Sequence, residues 1–148
     1  MSPAQSGEVR LSRTYDAPAE VVFRAWLDPG QVAAWWAPAG LEVPADRLSL
    51  DARPGGRFEY VMVDPGTGRE YPVVFEYVEI SEPELIVMTS PPAPEFGLPA
   101  LETRVTFEPE GDGTRVTVVQ GLHTDETLTN AIDGWDSILD KLADHLGG

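Results

Sequence analysis

Few side chains in this sequence could carry a reaction. Cysteine is absent, which removes disulfides, thiol nucleophiles and thiolate metal sites together. The two histidines are His123 and His145. His123 precedes Thr124-Asp125-Glu126, and an imidazole beside two carboxylates invites a metal or general-base role. No recognisable ligand spacing supports it, and Asp125 and Glu126 are better placed as first-turn partners of a helix dipole. His145 falls near the end of the same helix, where a cation is favourable. With no nucleophile, metal set or phosphate loop, the sequence offers no defensible reaction, and no catalytic residue, metal or cofactor is expected.

What remains is a set of large apolar and phenolic side chains: Trp36, Phe58, Tyr60, Met62, Phe75, Tyr77, Met88, Trp135 and Leu139. Such residues either fill a close-packed core or line a ligand cavity. Tyr60 and Tyr77 favour the cavity, because a buried phenol needs a partner and a mostly apolar site with a few polar groups orients small molecules. The proline-rich run from Ser90 to Pro99 is either a stiff connection or a flap over the cavity mouth, with Phe96 and Leu98 as its apolar tip. Arg13 is in phase with Val9, Leu11 and Tyr15. It either reaches water from the strand end or points inward, where it needs a carboxylate or a ligand acid. Glu79, in phase with Phe75 and Tyr77, is its candidate partner, and Arg57 is read as exposed.

The elements that would position these groups follow from periodicity and punctuation. Val9, Leu11, Arg13 and Tyr15 alternate with Arg10, Ser12 and Thr14, the pattern of a half-buried strand. Asp16-Ala17-Pro18 stops it and starts a helix, with Asp16 as cap and Val21, Val22, Ala25 and Trp26 as apolar stripe. Asp28-Pro29-Gly30 ends that helix, and a short one over 31–36 runs until Pro38 and Gly40. Adjacent helical residues point about 100° apart, so of Trp35 and Trp36 one belongs to the core and the other to a groove or cavity wall. From Leu41 the period is two, giving strands over 46–51, 57–63, 71–79, 85–90, 103–108 and 114–120. Turns at 53–56, 64–68, 81–84 and 110–113 join most of them.

The last helix, 124–146, is the clearest element. Leu128, Ala131, Ile132, Trp135, Ile138, Leu139, Leu142, Ala143 and Leu146 fall within an arc of roughly 140°. Asp133, Asp136, Asp140 and Asp144 occupy the opposite side. Thr124 can cap the start, and Gly147-Gly148 ends the helix. At ~30 Å long and unstable alone, it needs a covering surface. Short turns between strands imply an antiparallel sheet, across which this helix folds back. The fold class is therefore α+β, two layers, with the two short helices closing one end. A sheet curved enough to grip the helix would enclose a space.

Composition excludes several functions. At 148 residues the chain reads as one domain, with 1–7 outside its packed body. Residues 1–74 hold 10 acidic and 7 basic side chains, and 75–148 hold 15 acidic and 3 basic, so most of the net charge of −15 lies in the carboxyl half. Such a surface repels phosphate backbones, and nucleic acid is not an expected partner. No apolar run is long enough for a membrane span and no secretory signal is recognised, so a cytoplasmic location is the default expectation. Open sheet edges leave monomer and homodimer both available.

Several motifs occur in a telling order: Asp16-Ala17-Pro18 with Val22-Phe23 and Trp26, Trp35-Trp36 with Pro38 and Gly40, and Arg53-Pro54-Gly55-Gly56-Arg57. Gly113-Thr114-Arg115 and Gly134-Trp135 with Leu139 and Leu142 complete the set. Together they resemble the homologues of the activator of the heat-shock-protein-90 ATPase. That family sits within the START-related SRPBCC group of helix-grip folds, shared with the birch-pollen allergen. The resemblance covers about Glu8 to Leu146 and implies a helix-grip fold, with a deep apolar cavity between a curved sheet of about seven strands and the carboxyl-terminal helix. The expected function is binding of a hydrophobic small molecule, such as a lipid, an aromatic or a polyketide-like compound. One alternative is a co-chaperone-like protein binding a heat-shock-protein-90 ATPase, although the chain shows no counterpart of the amino-terminal domain that accompanies this module in the eukaryotic activators. The other is a polyketide-cyclase-like enzyme with Tyr60, Tyr77 or Arg13 as proton donors or oxyanion partners, because the group includes cyclases and fold alone does not decide chemistry.

Overall fold

The computed structural model describes residues 8–37, 40–91, 101–121 and 125–146, the side chains of 125–130 excepted. In chain order the elements are β1 (Val9–Tyr15), α1 (Ala19–Leu27), α2 (Pro29–Trp35), a 3-10 turn (Ala45–Arg47), β2 (Leu48–Leu50) and β3 (Arg57–Val63). Then come β4 (Glu70–Ser81), β5 (Leu85–Ser90), β6 (Leu101–Glu110), β7 (Gly113–Gly121) and α3 (Asp125–His145). The strands form one antiparallel sheet in the order β1-β7-β6-β5-β4-β3-β2, so only β1 leaves its sequence neighbours, crossing to pair with β7. With α3 laid against one face and α1 and α2 inserted after β1, this is the α+β helix-grip arrangement.

Local chemistry explains the element boundaries, including those that differ from expectation. Asp16 does not cap α1; the position before the helix is Pro18, which lacks a side-chain cap and receives the Val21 and Val22 amides on its carbonyl at 3.0 and 3.1 Å. Proline holds the extended entry conformation and moves the helix start past Asp16. Asp28 serves two helices. Its amide donates to Arg24 O at 2.9 Å to close α1, and its carboxylate accepts from Gly30 N and from Gln31 Nε2, both at 3.1 Å. The Gln31 side chain, followed by the backbone amides, holds the Asp28 carboxyl below its usual pKa. This cap starts α2 at Pro29, earlier than the sequence pattern implied. The strand expected over 46–51 shrinks to β2 because Pro44 turns 45–47 into a 3-10 helix, with Arg47 N bonded to Pro44 O at 2.9 Å.

One irregularity in β4 resets which residues face inward. Tyr77 pairs with Met88 but Glu79 pairs with Val87, so Val78 is an extra residue and a β-bulge. Before the bulge Phe75 and Tyr77 face the core; after it Ile80 does, opposite Ile86. Glu79 is thereby carried to the other face, and the expected Arg13–Glu79 pair does not form. In the sheet, β1 and β4 are also separated by β7, β6 and β5.

The core lies between the inner sheet face and the helices. Val22, Phe23 and Trp26 of α1, Val32 and Trp35 of α2, and Trp135, Ile138, Leu139 and Leu142 of α3 pack on Ile86, Val105, Phe107, Val116 and Val118. At about 25 cal/mol per Å2 of apolar surface, such burial is the main stabilising term. Gly113 allows the close approach of β7 to β1, since a Cβ there would strike the backbone carbonyl of Tyr15.

Candidate functional site

α3 presents Trp135 inward and Asp133, Asp136, Asp140 and Asp144 outward, as the sequence pattern required. Ile132 is the weak point of the stripe, being 36% exposed. Polar contacts also fix the helix. The Tyr15 hydroxyl donates to Leu139 O at 2.9 Å, Lys141 Nζ donates to Ala37 O at 2.7 Å, and His145 Nε2 meets Gln31 Oε1 at 3.0 Å. Arg13 leans from β1 across the helix edge and pairs with both Asp136 and Asp140. The bond to Asp140, and then that to Asp136, raise the pKa of its guanidinium despite partial desolvation. Thus the arginine in the inward phase of β1 is taken up by the acidic back of α3.

Beneath α3 the structure gathers most of the expected site residues. Trp36, Phe58, Tyr60, Phe75, Tyr77, Met88, Trp135 and Leu139 are all buried, and Met62 packs half-buried against them. Trp36 joins the layers: its ring centroid lies 5.2 Å from Phe58, 6.1 Å from Tyr60 and 5.5 Å from Trp135. Phe58 in turn lies 4.9 Å from Tyr60, 6.1 Å from Phe75 and 6.4 Å from Tyr77, so the rings make a continuous chain of contacts. The tryptophan doublet does not divide between core and cavity wall as expected: both rings are buried in one core cluster, 5.4 Å apart, and both meet Trp26. Their directions still differ, because Trp35 turns to α1, donating from Nε1 to Ala25 O at 3.2 Å, while Trp36 packs against Trp135 of α3. Phe96, Leu98, His123 and Thr124 lie outside the described residues.

Two phenols sit in this interior. Burial pushes the Tyr60 and Tyr77 hydroxyls above the ordinary tyrosine pKa; a hydrogen bond with Trp36 opposes the effect at Tyr60, and the neighbouring Tyr60 adds to it at Tyr77. Both are therefore neutral donors throughout the physiological range.

Three polar residues that sequence reasoning passed over share the same interior. Thr103 and Gln120 are buried, with Gln120 Nε2 donating to Thr103 Oγ1 at 2.8 Å, and Trp135 Nε1 donating to Gln120 Oε1 at 3.3 Å. Strand register puts Tyr77, Met88, Thr103, Gln120 and Val9 in one row across five strands. The signal was present: Gln120 is in phase with the buried Val116 and Val118, and Thr103 with Val105 and Phe107. The third is Trp26, whose ring stacks on Trp135 at 6.2 Å and meets Trp35 and Trp36 edge-on at 4.8 and 5.5 Å. Its α1 position suggested only an apolar stripe, yet its Nε1–H is buried without a hydrogen-bond partner.

With this geometry in hand, comparison with known proteins is decisive at one level. Residues 16–147 match the family described as Activator of Hsp90 ATPase homolog 1-like protein. The chain belongs to this AHSA1-like family. Protein CV1439 from Chromobacterium violaceum is similar over 94% of this chain and 96% of its own, with 30% identity and a TM-score of 0.83. The AHSA1 (SPO3351) protein from Silicibacter pomeroyi shares 31% identity over 95% of this chain and 97% of its own, with a TM-score of 0.74. Protein NE0264 from Nitrosomonas europaea, at 23% identity, a TM-score of 0.80 and coverage of 95% and 94%, shares the fold. No curated protein matches the sequence. Among the described residues, no helix of this AHSA1-like chain is long and apolar enough to cross a membrane.

Proposed function

We propose that this AHSA1-like protein binds a hydrophobic small molecule, of lipid, aromatic or polyketide-like character, between the inner sheet face and α3. The observation that carries the reading is the buried polar row of Thr103, Gln120 and the Trp135 indole, set beside two neutral phenols in an otherwise apolar and aromatic interior. A few polar groups in apolar surroundings are what orients a small molecule. Trp36, Phe58, Tyr60, Met62, Phe75, Tyr77, Met88, Trp135 and Leu139 would supply the contact surface, and Phe96 the entrance. The rings already touch one another, so a ligand has to part them. Native mass spectrometry of freshly purified protein tests the proposal, with a copurified apolar compound as the expected result. No such compound, together with no thermal shift from a panel of lipids and aromatics, would overturn it.

The family's description favours a second reading, a co-chaperone-like partner of a heat-shock-protein-90 ATPase. A changed ATPase rate of the cognate chaperone on addition of this protein would support it, and an unchanged rate together with no detectable complex would remove it.

A further inference from the structure

The indole N–H of Trp26 is the one buried side-chain polar atom among the described residues with no hydrogen-bond partner. Native proteins satisfy nearly all such groups, and an exception calls for an explanation. Among the described residues no oxygen is in hydrogen-bonding position, and the indole packs among the rings of Trp35, Trp36, Phe107 and Trp135, with centroids between 4.8 and 6.2 Å away. An aromatic face is at best a weak acceptor for an N–H. The other three indoles differ. Trp35 donates to Ala25 O, Trp135 donates to Gln120 Oε1, and Trp36 interacts with the Tyr60 hydroxyl.

We propose that Trp26 is an acceptor-reading residue of the interior, and that the ligand is an aromatic or polycyclic compound carrying a ketone or quinone oxygen that takes the Trp26 N–H. The inference rests on the ligand-binding reading above and narrows it from any apolar molecule to a carbonyl-bearing one. Three features point to a carbonyl in particular. The Trp26 site is a donor, so it selects an acceptor and gives nothing to a hydrocarbon. Aromatic rings line it, which suits a planar molecule stacking between them. Tyr60 lies one ring further on, beyond Trp36, so an extended planar ligand could present a second oxygen to its neutral phenol, while a carboxylate would be desolvated without a cation. Trp135, carried by α3, is the ring stacked on Trp26.

A matched pair of probes separates this inference from the reading it rests on. The protein labelled with 15N-tryptophan has four indole cross-peaks, one for each tryptophan. It is titrated with 2-acetylnaphthalene and, separately, with 2-isopropylnaphthalene, which has a similar shape and no oxygen. The ketone is expected to bind about five- to tenfold more tightly, the range of one buried neutral hydrogen bond. It should also move the Trp26 indole proton downfield while the hydrocarbon does not. Trp26 is assigned by loss of its peak in Trp26→Phe. Should that variant not fold, cross-relaxation with the Phe107 ring assigns it, since among the described ring contacts only Trp26 of the tryptophans meets Phe107. Equal affinities with no selective shift would overturn the role of Trp26 and leave apolar binding intact. Binding of neither probe, nor of any compound in the wider panel, would overturn both. A long-lived water already bound to the Trp26 N–H in the ligand-free protein would overturn the inference alone.

Discussion

The hydroxyl of Tyr15, on the edge strand β1, donates to the main-chain oxygen of Leu139 in the middle of α3, at 2.9 Å. Leu139 is fully buried and Tyr15 is 5% exposed, so water does not compete for this bond. Tyr15→Phe keeps the ring and removes the donor. It should cost about 1 kcal/mol, read as a lower midpoint of urea unfolding with an unchanged slope.

Alkali should unfold the protein through its buried phenols. Burial raises the pKa of Tyr15, Tyr60 and Tyr77 in the folded state. A group raised in this direction contributes its full stability below the unfolded value, about 10 for tyrosine, and loses it as pH climbs above that value. Stability should be insensitive to these groups at neutral pH and fall steeply above about pH 10. Phenolate absorbance from the three should appear together with loss of tertiary structure. Ionisation of all four tyrosines in a protein still folded would contradict this.

Arg13 offers a test of how firmly α3 is held. Asp136 and Asp140 are 55% and 65% exposed in their side chains, so screening by water discounts both pairs. A double-mutant cycle with Arg13→Ala and Asp140→Ala should give a coupling of about 0.5–1 kcal/mol at low salt, shrinking toward zero near 1 M salt. A salt-independent coupling would mean that the pair is more deeply buried than its exposure shows.

Gly113→Ala should be more damaging than either change. The added methyl meets the carbonyl of Tyr15 across the β1–β7 pair, and a backbone atom in a sheet has little room to yield. A loss of about 1–3 kcal/mol is expected, the range of overpacking, in thermal or chemical unfolding.

Thr103→Val removes the acceptor of Gln120 Nε2 while keeping the shape of the side chain. Losing a buried acceptor should cost about 1–3 kcal/mol. The Trp135 indole resonance should also move, because its acceptor is the same Gln120 amide. An unmoved Trp135 resonance would show that the three residues do not act as a unit.

Much of the architecture was legible because it depends on period. The apolar arc of α3, the alternation of β1 and β7 and the turns at 64–68 and 110–113 each reflect one repeat and one local cause, and the structure follows them. The tryptophan doublet was read only in part: its two rings do leave the helix end in different directions, but both enter one core, because Trp26 fills the angle between them. Three features stayed hidden. The role of Pro18 over Asp16 depends on which of two adjacent helix-start signals prevails. The Arg13 partners sit more than 120 residues away on a face that read as purely solvated. Glu79 was misplaced because alternation was carried past a residue that broke it. For the site, apolar character was visible from composition, whereas the lone N–H of Trp26 emerges only when four rings close around it.

The glycine turn before β3 has a reach beyond its own connection. Gly55 N donates to Tyr77 O at 2.7 Å and Tyr77 N donates to Gly56 O at 2.9 Å, at the residue just before Val78. Strand facing is a parity, and here the chain miscounts by one on purpose: two short clasps from the turn grip the last residue of the old parity before the new one begins. Gly56 has no room for a methyl against the Asp51 carbonyl, so the clasp tolerates no larger residue there. The facing of the Tyr77 phenol is thus tied to a turn some twenty residues earlier, of which only Gly56 is buried.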